Sequence, residues 1–505
     1  MGFLKPGVLC FALLLTVRVE GFARPPRGVS RSIEKLIDSS PGVKRGRFGY
    51  KVIDLESGDV LAEQNAQHFF TPASNTKLYT TALALVRLGP NYKWHTELRT
   101  SGNWVARQPT IHDLELIGGG DPNVSGRHVP YDPKSKDGDP LTVVEQFADT
   151  LANSGIREVD GDVTGVATRY SGDVYPDGWT IDDALYSYGA PVSSLAVNDN
   201  AISVNLRPTK AGELAEVELR PRLEHFIVLN QVVTDNSNTT NIHAVRPAGS
   251  NELVLWGSIG EKASPWSQDC GVNDPALFAA EAMIHVLRQH GIAVRGTARA
   301  EYRNLSVAEG MGQQGQPLHS AGTVLAVHES ASLGQEIQII NKASQNLHAE
   351  MLLREVARVV RGVGTLAAGL DERKKFLEEI GIVEDGTGFA FGDGSGLARQ
   401  NLTTPESTVQ LLRYMWQRPD RDVWLQSLPI GGVDGTLDDR FQKIRGAERV
   451  HAKTGEIEHV NALSGYLESR PNHWLAFSIM VNATTAKDAA VHDFLDQFCA
   501  IFLDR

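Results

Sequence analysis

The stretch from Phe69 to Leu85 (FFTPASNTKLYTTALAL) constrains this chain more than any other. Thr71 is a favoured helix cap and Pro72 suits a first helical turn. Leu78, Ala82, Leu85 and Leu88 then recur at the helical period, and Gly89-Pro90 ends the run. The pattern predicts a helix with one buried face, Ser74 in its first turn and Lys77 three residues on, on the same side. A serine hydroxyl is a weak nucleophile until a neighbour takes its proton. An amine pressed into a dry site beside another cation loses its own proton and can serve as that neighbour. Backbone N–H groups at a helix start also favour a developing anion. This is a Ser-x-x-Lys arrangement. Ser32-Ile33-Glu34-Lys35 repeats the pattern on a polar segment with no long apolar run behind it, and there it carries no such meaning.

Two further triplets can complete the site. Ser344-Gln345-Asn346 sets a hydroxyl and an amide one step apart, able to face the same way. The hydroxyl can relay a proton towards a leaving amine, and the amide can bond both Lys77 and a substrate carbonyl. A plain helix start is the competing reading, because Ser is a favoured cap. Ser101-Gly102-Asn103 and Ser203-Val204-Asn205 match too, but within a β-rich stretch. In His451-Ala452-Lys453-Thr454-Gly455-Glu456-Ile457, Lys453 and Thr454 on a strand edge can hold a carboxylate by charge and hydroxyl. Gly455 lets a substrate backbone approach closely, and the Glu456 N–H can pair with that of Ser74 as an oxyanion hole. An exposed turn is the competing reading here. Lys453 also gives Lys77 the cationic neighbour that lowers its pKa. In the order Ser-x-x-Lys, Ser-x-Asn, Lys-Thr-Gly, the three segments argue jointly for one cleft.

At 505 residues the chain is too long for one ordinary core, and two or three domains are expected. A net charge of −12 argues against nucleic acid and gives no support to binding an anionic membrane. Lys5 followed by a short apolar run to Val17, with Gly21-Phe22-Ala23 behind it, predicts a cleaved signal peptide over residues 1–23 and a periplasmic or otherwise exported protein, peripheral to the membrane at most. Cys270 and Cys499 then remain; a disulfide between them is allowed by the compartment but not indicated. The histidines are scattered, with no metal-ligand spacing, so no metal or cofactor is implied.

Ahead of Ser74, Ser32 to Ile37 reads as a short helix, and Phe48 to Asp54 and Val60 to Ala62 as a hairpin. From about Tyr92, strand-like segments (Leu114 to Ile117, Val163 to Val166, Ile202 to Leu206, Ala215 to Leu219, Leu253 to Trp256) lie between turns, with few long helical patterns before Asp274 to Gln289. Gly118-Gly119-Gly120-Asp121-Pro122 lacks the residues of a phosphate loop and reads as a turn. Helical periodicity returns in Ser332 to Asn341, Leu347 to Val360, Asp371 to Ile380 and Pro405 to Gln417. Two strands, Ala462 to Glu468 and Trp474 to Val481, and a helix around Val491 close the chain. The expected fold class is α/β: an antiparallel sheet with helices on both sides, from residues 24–98 and 318–505, interrupted by a β-rich insert of one or two domains over 99–317.

With these motifs the sequence resembles the penicillin-binding protein 4 type of D-alanyl-D-alanine carboxypeptidase/endopeptidase, a low-molecular-mass class C family with a β-lactamase/transpeptidase-like sandwich. The resemblance also takes in Tyr188 to Leu195, Asp393-Gly394-Ser395-Gly396-Leu397-Ala398-Arg399 and Gly432 to Leu437, with the long gap between Ser74 and Ser344. It implies Ser74 as acylated nucleophile and Lys77 as base, with Ser344 and Asn346 assisting proton transfer and positioning. It implies Lys453 and Thr454 at a terminal carboxylate, and Arg399 and Asp183 near the substrate side chain. Peptidoglycan stem peptides are the implied substrate and β-lactams the implied inhibitors. Glu456 departs from the family's usual Thr after Lys-Thr-Gly, and Gln345 from its common Asp. A β-lactamase, and a catalytically silent wall-binding or β-lactam-sensing protein, stay open beside this reading. The balance of carboxypeptidase to endopeptidase action, the third stem-peptide residue and the oligomeric state are not written in the sequence.

Overall fold

The computed structural model describes residues 27–304, 322–383 and 388–503, and the expected signal peptide lies outside them. Five strands form one antiparallel sheet in the order Val450–Ile457, Val460–Arg470, His473–Asn482, Arg47–Asp54, Val60–Gln64. Its two faces can be read along single strands, because neighbouring side chains point to opposite sides. Leu475 and Phe477 pack under the helices Arg27–Asp38 and Asp488–Ala500, while Ala476 between them joins the opposite core. That opposite core is built from Thr76–Leu88, Leu333–Lys342, Asn346–Arg361, Leu366–Glu379 and Pro405–Trp416. The result is the expected sheet with helices on both sides. The Lys-Thr-Gly segment, however, lies within a third carboxy-terminal strand, Val450–Ile457, at the edge of the sheet.

Several helix starts follow from capping chemistry. Ser332 and Gln335 form a reciprocal capping box, and Thr365, Thr404 and Asp274 each accept a backbone N–H three residues on. Leu366–Glu379 begins before the expected Asp371, because Thr365 supplies that cap.

Most of the described buried apolar residues of the insert share a hydrophobic core, while Tyr170, Val192 and Ala196 pack instead with Leu347 and Met351. The insert's largest sheet runs Ala298–Arg303, Val163–Ser171, Leu114–Ile117, His95–Ser101, Gly322–Glu329. Two helices cover it: the expected Pro275–Gln289, and Thr142–Asn153, which the sequence reading passed over although Val143, Val144, Phe147 and Leu151 are buried at helical spacing. Because His95–Ser101 and Gly322–Glu329 pair with each other inside this sheet, we propose domain seams at about Trp94 and Ser330, in place of 98/99 and 317/318. Cys270 lies in the insert core and Cys499 in the core under the last helix, both as free thiols. No described helix is long and apolar enough to cross a membrane.

The triple glycine is where insert strands and connecting backbone press together. A Cβ on Gly119 would lie 1.7 Å from the carbonyl oxygen of His95. That neighbour is backbone and cannot swing aside, so Gly119→Ala is expected to cost about 3 kcal/mol, the upper end for overpacking, and to lower the calorimetric unfolding temperature.

Candidate active site

Ser74 stands just ahead of the predicted helix rather than in its first turn. Ala73–Asn75 is a single 3₁₀ turn after Pro72, and the α-helix Thr76–Leu88 follows. Thr71 does not cap it; its hydroxyl bonds the Arg399 carbonyl (3.3 Å), and its N–H bonds Asn482 Oδ1 (2.7 Å). Ala73 takes φ +47°, a left-handed conformation that costs free energy for a residue with a Cβ. Packing holds it there. A Cβ on Gly396 would fall 1.9 Å from Ala73 O, and one on Gly455 2.3 Å from Pro72 O. Gly455 therefore gives room to the nucleophile turn itself, where the sequence suggested room for a substrate backbone.

Lys77 is completely buried behind Ser74. Its Nζ lies 2.9 Å from Ser74 Oγ, 2.6 Å from Asn346 Oδ1 and 2.8 Å from the Ser395 carbonyl. Burial pushes its pKa down to about 7, against the pull of the Asp393 and Glu350 carboxylates. Lys453, equally buried, donates to Ser344 Oγ (2.9 Å) and to the Thr454 carbonyl (3.0 Å). Burial and then the charge of Lys77 hold Lys453 well below the ordinary lysine value.

Ser344 is the left-handed residue (φ +59°) of the three-residue link between the helices Leu333–Lys342 and Asn346–Arg361. That link turns the Ser344 hydroxyl to Lys453 while Asn346, the first residue of the next helix, reaches Lys77. Ser74, Ser344, Asn346, Asp183, Arg399 and Glu456 line one cleft of about 420 Å³, with the two lysines beneath it. The three motifs therefore meet. The decoys do not: the Ser32 hydroxyl bonds its own helix at Gly28 O, and that of Ser203 bonds Asp269.

The edge strand supplies a further donor. Val450 O and Ala452 N bond Gly431 and Pro429 on the outer side of the sheet. Backbone groups alternate sides with a period of two, so the Glu456 N–H also turns outward from the sheet edge. The Glu456 carboxylate leans away onto His492 (3.1 Å), which keeps it below the ordinary glutamate pKa. Thr454 Oγ1 pairs with Thr436 Oγ1 (2.7 Å). Arg399 reaches Glu458 across the cleft rim (3.3 Å), and Asp183 caps its own 3₁₀ turn by accepting the Thr180 N–H (2.8 Å).

Sequence reasoning missed the buried charges behind the site. Glu350 Oε1 accepts the N–H groups of Gly394 and Ser395 (2.8 Å each), and Asp393 accepts those of Gly396 (2.8 Å) and Ala398 (2.7 Å). Arg373 bonds the Asp393 carbonyl (2.8 Å) and Thr80 (3.2 Å). Together they fix the loop whose Ser395 carbonyl faces Lys77. Gly, Ser and Asp crowded into 393–396 was the available signal. A second network was not legible. Asp199 of the insert accepts from Gln345 Nε2 (2.6 Å), pairs with Arg127 through both oxygens, and meets His348 Nε2 (2.8 Å), whose other nitrogen meets Glu336 (2.5 Å). Glu336 and Asp199 push His348 up to about 9 against its burial.

Residues 29–501 match the D-Ala-D-Ala carboxypeptidase 3 (S13) family. A D-alanyl-D-alanine carboxypeptidase from Actinomadura sp. (strain R39) is 32% identical over 455 residues, 88% of this chain and 79% of that protein. Penicillin binding protein 4 (dacB) from Haemophilus influenzae superposes with a TM-score of 0.76 at 21% identity, over 93% of this chain and 99% of that one. Its complex with a β-lactam gives a TM-score of 0.72 at 21% identity, over 92% of this chain and 98% of that one.

The insert network makes its own forecast. Asp199→Ala leaves the cations of Arg127 and His348 buried without their shared carboxylate. It is expected to destabilise the fold by about 3–5 kcal/mol, read as a lowered thermal unfolding midpoint.

Proposed function

The chain belongs to the D-Ala-D-Ala carboxypeptidase 3 (S13) family, and from that membership we propose that its cleft cuts peptidoglycan stem peptides at a D-alanyl-D-alanine bond through an acyl-enzyme on Ser74. One observation carries the mechanism: the three contacts of Lys77. A neutral amine has two N–H bonds and one lone pair. Asn346 Oδ1 and the Ser395 carbonyl can take the two N–H groups. The lone pair is then left for the Ser74 hydroxyl, 2.9 Å away. A pKa of about 7 makes that neutral form available near neutral pH.

In this reading Ser74 Oγ attacks the carbonyl of the penultimate D-alanine as its proton passes to Lys77. The tetrahedral oxyanion lies between the N–H groups of Ser74 and Glu456. On collapse, the proton taken up by Lys77 passes through the Ser344 hydroxyl, which Lys453 holds, to the departing amine, and Lys77 is neutral again. Free D-alanine leaves, or the amine of a cross-linked neighbour. Water then attacks the ester, with Lys77 again as base. Lys453 and Thr454 receive the terminal carboxylate, whose charge favours the ammonium form of Lys453 against the burial that disfavours it. Asp183 and Arg399 face the substrate's side chain from the rim. A β-lactam acylates Ser74 in the same geometry and is released slowly. Glu456, which departs from the usual Thr after Lys-Thr-Gly, has its carboxylate engaged by His492 and needs to offer only its N–H. The amino-terminal apolar run supports export to the periplasm or beyond the cell membrane.

A labelled penicillin is expected to tag the protein, with free D-alanine released from a pentapeptide mimic. Ser74→Ala should abolish both, and a tag that survives the substitution would refute the role given to Ser74. The pH dependence follows from the direction of the Lys77 shift. The base must be unprotonated, so the acylation rate rises with pH and levels above about 7. At one unit below that value, stopped-flow acylation is expected to run at about one-tenth of its plateau.

A further inference from the structure

A second cavity, of about 350 Å³, opens beside the catalytic cleft, and Thr180 lines both. One wall is aromatic and apolar. Tyr175 and Trp179 stand edge to face with ring centroids 6.5 Å apart, and Ile181, 73% exposed, adds an aliphatic surface that no described residue covers. This wall is fixed to the catalytic domain: Trp179 Nε1 donates to Asp393 Oδ2 (3.0 Å), and Gln400 Nε2 to the Asp177 carbonyl (2.9 Å). The facing wall is the insert loop that begins at Arg246.

Arg246 carries the argument. Its guanidinium donates to the carbonyls of Ala184 and Ser250 and lies over the Phe226 ring, while its Nε is buried without a partner. Among the described residues no carboxylate pairs with it. Burial lowers its pKa, as expected for a cation whose charge is not balanced. An uncompensated arginine in the wall of an aromatic pocket is the chemistry of a site for a carboxylate attached to an apolar chain.

We propose that this pocket is a second subsite that holds the carboxylate-bearing end of the neighbouring peptide strand when the substrate is cross-linked. The proposal rests on the assignment of the first cleft to stem-peptide cleavage. A single linear stem peptide fills the cleft of Ser74 alone. A cross-linked pair carries a second strand past Thr180, where its carboxylate meets Arg246 and its apolar side chains meet Tyr175 and Ile181. The subsite therefore favours endopeptidase over carboxypeptidase action without touching the reacting atoms.

The test compares one enzyme on two purified substrates: a monomeric pentapeptide muropeptide and a cross-linked muropeptide dimer, both read by mass spectrometry. Arg246→Gln is expected to lower the ratio of kcat/KM on the dimer to that on the monomer about tenfold, the effect of losing one charge-assisted contact. Tyr175→Ala, at the exposed wall, should move the ratio in the same direction. Penicillin labelling confirms that each variant is folded. A ratio unchanged in both variants, or a wild-type enzyme that trims the monomer and leaves the dimer intact, overturns the second subsite alone. A wild-type enzyme that penicillin labels but that cuts neither substrate overturns the reading of the first cleft, and the second subsite falls with it.

Discussion

Two lysines share one water-poor pocket, and the rest of the site is arranged around that conflict. Lys77 and Lys453 are both fully buried. Two ammonium groups there would each forfeit hydration and repel the other. The free protein resolves this by keeping Lys77 close to neutrality and Lys453 well below its ordinary pKa. Glu350 and Asp393 set a limit on the other side, since their charges pull Lys77 back up. The Lys77 pKa is therefore set by burial on one side and two carboxylate charges on the other, which is the condition a lysine needs to exchange a proton near neutral pH.

Holding such a pocket together demands close backbone contact, and the strained residues show where. Ala73 and Ser344 each occupy left-handed backbone although neither is glycine. Both lie where the chain must deliver a hydroxyl into the cleft from a linker between elements. Gly396 and Gly455 press on the Ala73 turn from two sides with no side chain between. The hydroxyls are thus positioned by rigid backbone rather than by flexible side chains, so less ordering is left for the moment of reaction.

Much of this was legible before any coordinates. Helix periods gave the elements around the sheet, because Leu78, Ala82 and Leu85 act through local spacing that a sequence displays, whereas the cap read at Thr71 does not cap its helix. The three motifs were legible because each packs its chemistry into three or four adjacent residues. What escaped was non-local. Glu350, Arg373 and Asp199 look like surface charges in the sequence; only tertiary packing shows them buried. The insert strands were read short or missed, since segments such as Ile227–Asp235 and Thr240–Val245 keep much of their surface exposed and alternate weakly. The Lys-Thr-Gly segment was placed on a strand edge, but the strand itself, Val450–Ile457, was not bounded, for the opposite reason. Its Lys, Thr and Gly break the strand pattern because the site needs them there.

The insert is more than an addition at the edge of a finished enzyme. Asn346, which holds one N–H of Lys77, gives its own amide hydrogen to the Tyr188 carbonyl of the insert (2.9 Å). Gln345, between the two motif residues, is tied to Asp199 (2.6 Å), and Asp393, behind Lys77, accepts from Trp179 (3.0 Å). Each of these contacts ends on a residue adjacent to the chemistry, and each begins in the insert. Removing the insert would leave Asp393 and Asn346 with one partner fewer and Gln345 without the carboxylate that holds it, in a link already strained at Ser344. The insert supplies part of the cleft wall and part of the restraint on Lys77. The catalytic sandwich of this chain is therefore incomplete without it, even though the insert has a hydrophobic core of its own.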